Sequence, residues 1–175
     1  MDQHLYPHAA LGFRVWRVTD HELLPLREDQ PGWQPGINLA VCSAKKHQAP
    51  GDKCHCGFNA YHDLSDAYRH AWGSLEAGYD LFRHYLQDQT ILIGAIAGSG
   101  QLRVHAKGFR SEKAQVLALS LVREDQPLRQ RAEAAARHHQ VQMLDDPTDL
   151  SQFAELPGLA SIADQVRPRR RFWHR

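Results

Sequence analysis

The 175-residue sequence contains only three cysteines and two methionines, and its formal net charge is +1. No segment reaches the run of about 18 apolar residues that a membrane-spanning helix needs. The first residues, Met1 to His4, lack the basic and apolar regions of a secretory signal. We therefore expect a cytoplasmic protein. The balanced charge indicates no global preference for nucleic acid or membrane, and an odd number of cysteines argues against a disulfide framework.

The sequence also lacks the short motifs that identify common catalytic centres. It contains no Gly-x-Ser-x-Gly, no His-Glu-x-x-His, and no His-x-Glu paired with Pro-Cys-x-x-Cys. Gly98-Ser99-Gly100 has neither the glycine spacing nor the Lys-Ser/Thr ending of a phosphate-binding loop. Because no motif indicates a reaction, the sequence favours a protein that is not an enzyme but leaves catalysis open.

All three cysteines lie within one stretch of fifteen residues, together with a histidine. Cys42, His47, Cys54 and Cys56 are followed directly by Gly57. Three thiolates and one imidazole complete the tetrahedral ligand set of a structural zinc site. In an extended segment Cys54 and Cys56 point to the same side, and glycine lets the backbone turn close to the sulfurs. The spacing therefore predicts a zinc ion held by these four side chains.

Alternatives to this ligand set stay open from the sequence alone. His55, His62 or a water molecule are alternative fourth ligands, and iron is an alternative metal at a site of this composition. If no metal binds, the three thiols favour a thiol-based redox protein. That interpretation needs a base and an orienting group, which no motif in the chain supplies.

Hydrophobic patterning predicts an α+β fold with a small, mostly antiparallel sheet or barrel, one long helix, and a helical C-terminal extension. The predicted strands cover residues 11–19, 37–42, 57–61, 90–97 and 101–107. The last two strands form a predicted hairpin around Gly98 to Gly100. The long helix is predicted over residues 63–87. We divide the chain into an α+β domain bearing the zinc (1–125), the helical extension (126–166) and a basic tail (167–175).

Two further groups of residues are candidate binding sites. His105, Arg110 and Glu112 surround a glycine turn and are typical of a groove for a small anion or a nucleotide, with Arg110 as the anion ligand. The alternative is a surface ion pair between Arg110 and Glu112 beside an exposed histidine. Asp145, Asp146 and Asp149 are typical either of a hard-cation site or, more commonly, of a helix cap in a solvated turn.

The last nine residues carry five arginines together with Phe172 and Trp173. This composition favours nucleic acid, with Arg169, Arg170 and Arg171 on phosphates and Trp173 stacked on a base. An anionic membrane surface and a solubilising terminus are the alternatives.

The segments around the cysteines resemble a group of uncharacterised bacterial proteins that are common among actinobacteria. The matching segments are Trp33-Gln34-Pro35-Gly36, Cys42, His47-Gln48-Ala49-Pro50, Cys54-His55-Cys56-Gly57-Phe58-Asn59-Ala60-Tyr61 and Val104-His105-x-x-Gly108-Phe109-Arg110-Ser111-Glu112. The resemblance covers residues 11–121 and implies one domain in which the four ligand candidates act together. The group often has Trp-Gly where this chain has Ser99-Gly100, and it implies no known activity.

These observations together predict a non-catalytic binding or adaptor protein that is stabilised by zinc, with a protein or a nucleic acid as its partner. The first alternative is an enzyme or sensor that binds a small anionic or nucleotide ligand near His105, Arg110 and Glu112. The second is a thiol-based redox protein.

Overall fold

The structure is a computed structural model of the 175-residue chain, and it describes residues 9–26, 31–45, 47–76, 90–123, 126–156 and 159–160. Within these residues one eight-stranded sheet is accompanied by two α-helices and a 3-10 helix. The strands are β1 (Ala9–Thr19), β2 (Glu22–Pro25), β3 (Ile37–Leu39), β4 (Phe58–Tyr61), β5 (Thr90–His105), β6 (Gly108–Leu121), β7 (Gln142–Leu144) and β8 (Leu159–Ala160). The helices are α1 (Leu64–Glu76), α2 (Gln126–His139) and the 3-10 helix Pro147–Glu155. The predicted α+β class with a mostly antiparallel sheet is confirmed.

The sheet is organised around β5, which lies between β1 and β6 and is antiparallel to both. β4 pairs with β6 and, through the single residue pair Phe13–Tyr61, with β1. The pairings of β1, β5, β6 and β4 therefore form a ring that is closed at one residue pair rather than a regular barrel. Only β7 and β8 among the described strands add in parallel, to β6 and β1 respectively.

Two hydrophobic cores cover the two faces of the central strands. On one face, Trp16, Trp33 and Phe109 pack with the alanines of α2. On the other face, Phe13 and its neighbours pack against α1 and the 3-10 helix. Because consecutive residues of β1 enter opposite cores, this strand is buried almost throughout instead of showing the alternation of a strand with one solvated face.

The predicted hairpin around Gly98 to Gly100 is wrong. β5 is one continuous strand of 16 residues, with an irregular register between Ser99 and Leu102 and a positive φ of 73° at Gly100. The real hairpin turn is Ala106-Lys107, which the pair His105–Gly108 closes. Gly100 therefore lies in a β-bulge, which bends a strand without ending it. A bulge favours glycine just as a turn does.

The helical predictions are tested in part. α1 begins where the long helix was expected, at Leu64, and is described to Glu76; residues 77–89 lie outside the described part of the chain. The extension contains α2, whose alanines join the first core, and the 3-10 helix. The domain division at 125/126 and 166/167 stays a prediction. Among the described helices, none is long and apolar enough to cross a membrane.

Candidate metal centre

The loop that carries the four candidate ligands is fixed at both ends on the same edge of β6. It leaves β3, where Leu39 pairs with Lys113, and enters β4, where Phe58 pairs with Ser111. The two anchor points are thus two residues apart on β6. The backbone N–H of Ala40 donates to the carbonyl of Glu112 between them, at 2.8 Å. This arrangement folds residues 41–57 into a compact loop over one short segment of the sheet.

The loop brings Cys42, His47, Cys54 and Cys56 together. One ligand atom from each residue lies within 4.8 Å of those of the other three, and no other such group of three or more occurs in the described chain. The Cys42 and Cys54 Sγ atoms are 3.6 Å apart, and the Cys56 Sγ is 3.9 Å from His47 Nε2. Zinc bond lengths of about 2.3 Å to sulfur and 2.0–2.1 Å to nitrogen give tetrahedron edges of about 3.5–3.8 Å. The four residues therefore fit a tetrahedral metal ion.

Backbone groups of the loop support the ligand atoms in the way that metal-ligating side chains require. The N–H of Lys45 donates to the Cys42 sulfur, and the N–H of Gly51 donates to the Cys56 sulfur, each at 3.3 Å. The Nδ1 atom of His47 lies 2.8 Å from the Gln48 carbonyl. Since a carbonyl only accepts, Nδ1 carries the proton, which leaves the lone pair of Nε2 free for a metal.

Gly51 is a further part of the site, and the ligand pattern alone did not identify it. A Cβ atom built on Gly51 would lie 2.8 Å from His47 Nδ1 and 3.0 Å from Nε2. The imidazole thus rests directly on the Gly51 backbone, and any larger residue displaces the ring. The sequence did contain a signal for this role: Gly51 lies between the predicted ligands His47 and Cys54. Glycine is favoured where a side chain packs directly against the backbone.

The thiols differ in acidity because their hydrogen bonds differ. The backbone N–H of Cys56 is the main cause that lowers the pKa of the Cys54 thiol to about 6, and His47 and Cys42 assist. Burial is the main cause that raises the pKa of Cys56, although the N–H of Gly51 opposes it. Cys54 therefore loses its proton more readily than Cys56.

Arg110 does not lie at a glycine turn, because it is inside β6, and its guanidinium fastens the ligand loop. The Nη1 group donates to the carbonyls of Gly51, Cys54 and Cys56. These carbonyls are in the same segment as two of the ligands. A guanidinium forms strong, charge-assisted hydrogen bonds with carbonyl oxygens in a partly buried site. Arg110 is thus a positioning residue for the metal loop.

Glu112 lies on the same face of β6, two residues further, and joins the loop to β5. Its carboxylate accepts hydrogen bonds from the side-chain amide of Gln48 and from the backbone N–H of Gln101, each at 3.0 Å. The Gln101 N–H is the largest of the causes that lower the pKa of Glu112, followed by the Gln48 amide and the charge of Lys113. Arg110 and Glu112 are therefore bonded to different groups: Arg110 to carbonyls of the ligand loop, and Glu112 to Gln48 and Gln101.

The histidines named from the sequence lie elsewhere. His105 lies at the end of β5 and is exposed. Partial desolvation of its ring is the main cause that lowers its pKa, and the charges of His62 and Arg110 lower it further. His62 Nε2 donates to the His105 carbonyl at 3.0 Å. Neither residue, nor the exposed His55, belongs to the group of converging ligand atoms. The structure thus brings His47 to the three cysteines.

Two open grooves adjoin the candidate ligands, and Lys45, His47 and Gln48 line both of them. The first, of about 560 Å³, is lined by residues 39–45, 47–49 and Glu112, and so reaches the centre at Cys42 and His47. The second, of about 370 Å³, is lined by residues 50–54 together with Lys45, His47, Gln48, Gln101 and Arg103. His105 and Arg110 line neither groove, so the three residues of the predicted anion site do not share one.

Of the two remaining candidate sites, the structure describes the aspartate cluster but not the basic tail. Asp146 is the N-cap of the 3-10 helix, where its side chain accepts from the N–H of Thr148, and Asp145 pairs with Arg129 at 2.8 Å. This agrees with a helix cap. The tail residues Arg169, Arg170, Arg171 and Trp173 lie outside the described part of the chain.

Comparisons of the chain with family models, with curated proteins and with solved structures gave no match. The functional argument therefore rests on the residues of the metal centre and on the surface around it.

Proposed function

We propose that this chain is a non-catalytic binding module in which a zinc ion stabilises the loop of residues 41–57, and that its partner is another protein. The observation that carries the proposal is the convergence of Cys42, His47, Cys54 and Cys56 within 4.8 Å. A set of four protein ligands leaves no open coordination position, and this favours a structural over a catalytic metal. Nitrogen and thiolate donors in a tetrahedron favour zinc.

The surface next to the loop supports a protein as the partner. Ile37, Leu39 and Val41 alternate along β3 and its continuation, and they are 48%, 61% and 81% exposed. The groove of about 560 Å³ continues from Leu39 and Val41 to the metal ligand Cys42. A row of aliphatic side chains has little to offer phosphate groups, whereas exposed apolar patches mark protein interfaces. The row is too small for the roughly 800 Å² per partner of a stable interface, so we expect a short peptide segment as its ligand.

The alternative enzyme or sensor site near His105, Arg110 and Glu112 has less support. Arg110 Nη1 and both carboxylate oxygens of Glu112 are occupied by groups of the protein itself. A ligand would have to replace these hydrogen bonds. Nucleic acid stays the second candidate partner because of the arginines in the tail, from Arg169 to Arg171.

The first test is metal content. Elemental analysis of chelator-washed protein is expected to give about one zinc per chain, and the Cys54→Ser variant is expected to give much less. If the purified protein contains no metal and still folds normally, the zinc proposal is contradicted.

The second test identifies the partner class. Immobilised, zinc-loaded protein is offered a phage-displayed random peptide library and, separately, a pool of random oligonucleotides. We expect enrichment of peptides with apolar side chains, and loss of their binding in a Leu39→Ser/Val41→Ser variant, whose changes are confined to exposed side chains. If only oligonucleotides are enriched, and their affinity falls steeply as the salt concentration rises, the partner is a nucleic acid and the proposal of a protein partner is refuted.

A further inference from the structure

We propose that the metal centre is also an oxidation site, at which a hydroperoxide joins Cys42 and Cys54 in a disulfide and thereby releases the metal. This inference rests on the proposed zinc function, because it describes the regulation of the same site. Three features of the structure support it: the distance between the two sulfurs, their access from solvent, and the different surroundings of Cys56.

The distance between the sulfurs allows the bond to form with small movements. The Cys42 and Cys54 Sγ atoms are 3.6 Å apart, and a disulfide bond is about 2.05 Å long. Closing this gap needs a shift of about 1.5 Å. Cys42 lies between exposed residues beyond the end of β3, and Cys54 lies between the exposed Lys53 and His55. Neither cysteine is part of a strand or a helix that would resist such a shift.

Each of these two sulfurs belongs to a residue that lines an open groove. Cys42 lines the groove of about 560 Å³, and Cys54 lines the adjoining groove of about 370 Å³. Cys56 lines neither groove, and it accepts the Gly51 N–H and contacts the ring of His47. All three cysteines are half-buried, but only Cys42 and Cys54 line a groove, so we expect oxidation at these two.

The chemistry needs one hydroperoxide and no other reagent. The first thiolate attacks an oxygen of the peroxide, the O–O bond breaks, and the leaving oxygen takes a proton from water to give an alcohol or water. The resulting sulfenic acid is attacked by the second thiolate, so that the S–S bond forms and hydroxide leaves, which a proton converts to water. The two sulfurs lose two electrons in total, and the peroxide gains them.

Loss of two thiolates leaves only His47 and Cys56 as ligands, so the metal dissociates. Val41 precedes Cys42 directly, which means that the oxidised loop changes one end of the apolar row formed by Ile37, Leu39 and Val41. Oxidation thus couples the redox state of the cell to the proposed binding surface.

The experiment treats the zinc-loaded full chain with one equivalent of hydrogen peroxide. Released zinc is followed with a chromophoric chelator, and the disulfide is located by mass spectrometry after alkylation without reduction. We expect one zinc released per disulfide, a link between Cys42 and Cys54, an alkylated Cys56, and recovery after treatment with a phosphine and zinc. Retention of the zinc, a link that includes Cys56, or irreversible sulfinic acid would overturn the proposal.

Two variants separate this inference from the zinc function. Cys56→Ser is expected to form the same disulfide, and Cys42→Ser to form none. If the wild-type chain binds no metal, the proposed zinc function fails, and the same mapping still decides the oxidation site: a disulfide between Cys42 and Cys54 supports it, and any other product refutes it.

Discussion

Removal of the Arg110 guanidinium tests whether this residue holds the metal loop or binds an external anion. In Arg110→Met the side chain keeps its length but loses three hydrogen bonds to the carbonyls of Gly51, Cys54 and Cys56. Two of these carbonyls belong to ligand residues, so the ligands of the metal-free loop become less well positioned. The loss of a residue that orients metal ligands typically reduces metal affinity about 10- to 100-fold, or about 1.4–2.7 kcal/mol.

The measurement is a competition titration of zinc against a chromophoric chelator at constant pH. Arg110→Lys, which keeps the charge without the planar donor group, is expected to lie between wild type and Arg110→Met. Arg103→Met is the matched control, because its ion pair with Asp52 is solvent-exposed, with side chains 38% and 72% accessible, and such pairs contribute at most about 1 kcal/mol. We expect less than about a fivefold effect there. Wild-type zinc affinity in Arg110→Met would refute the positioning role and restore Arg110 as a candidate anion ligand.

Three further predictions concern the metal site, its loop and the core. Gly51→Ala is expected to displace the His47 ring and weaken zinc binding at least tenfold in the same titration, whereas Gly73→Ala, with open space around its Cβ in α1, should leave zinc binding unchanged and raise stability by about 0.5–1 kcal/mol. Removal of zinc by a chelator is expected to expose residues 41–57 to hydrogen exchange while the amides of β5 stay protected. Burial lowers the pKa of His139 from 6.5 to about 4, so the unfolded chain binds the extra proton between these values and stability falls as pH drops through them. Urea unfolding at pH 7 and at pH 4 measures this effect. Between these pH values the free energy of unfolding should fall by about 1–3 kcal/mol more in wild type than in His139→Leu. An equal fall in the two proteins would contradict the lowered pKa of His139.

The candidate metal ligands are predictable from the sequence because the chemistry restricts such ligands to few residue types at short spacings. Cys42, His47, Cys54 and Cys56 satisfy both conditions within one loop. The fold class is predictable for a similar reason, since strand and helix periods are local properties of the chain. The bulge at Gly100 was interpreted as a hairpin turn because both structures favour glycine, and the distinction depends on pairing with β6.

The roles of Arg110 and Glu112 depend on contacts between segments that are distant along the chain. The spacing of these residues around a glycine is equally typical of an anion site, which is how the sequence was interpreted. Their hydrogen bonds reach Cys54 and Gln48, 56 and 64 residues away along the chain. Only the registers of β3 and β4 on β6 bring these segments together, and register between distant strands is not determined by a local pattern.

The distribution of apolar contacts indicates that the loop, unlike the rest of the fold, would gain stability from a bound metal. Neither hydrophobic core contains a residue between 40 and 57, whereas every long strand contributes to both cores. A chain of 175 residues buries enough apolar surface to fold without a cross-link. The loop buries Ala49 and Pro50 but joins neither core, and it is also held by the hydrogen bonds of Arg110 and Glu112. A metal held there would therefore stabilise a local surface, next to the exposed side chains of Leu39 and Val41. For this reason we propose a role in binding rather than in folding of the whole chain.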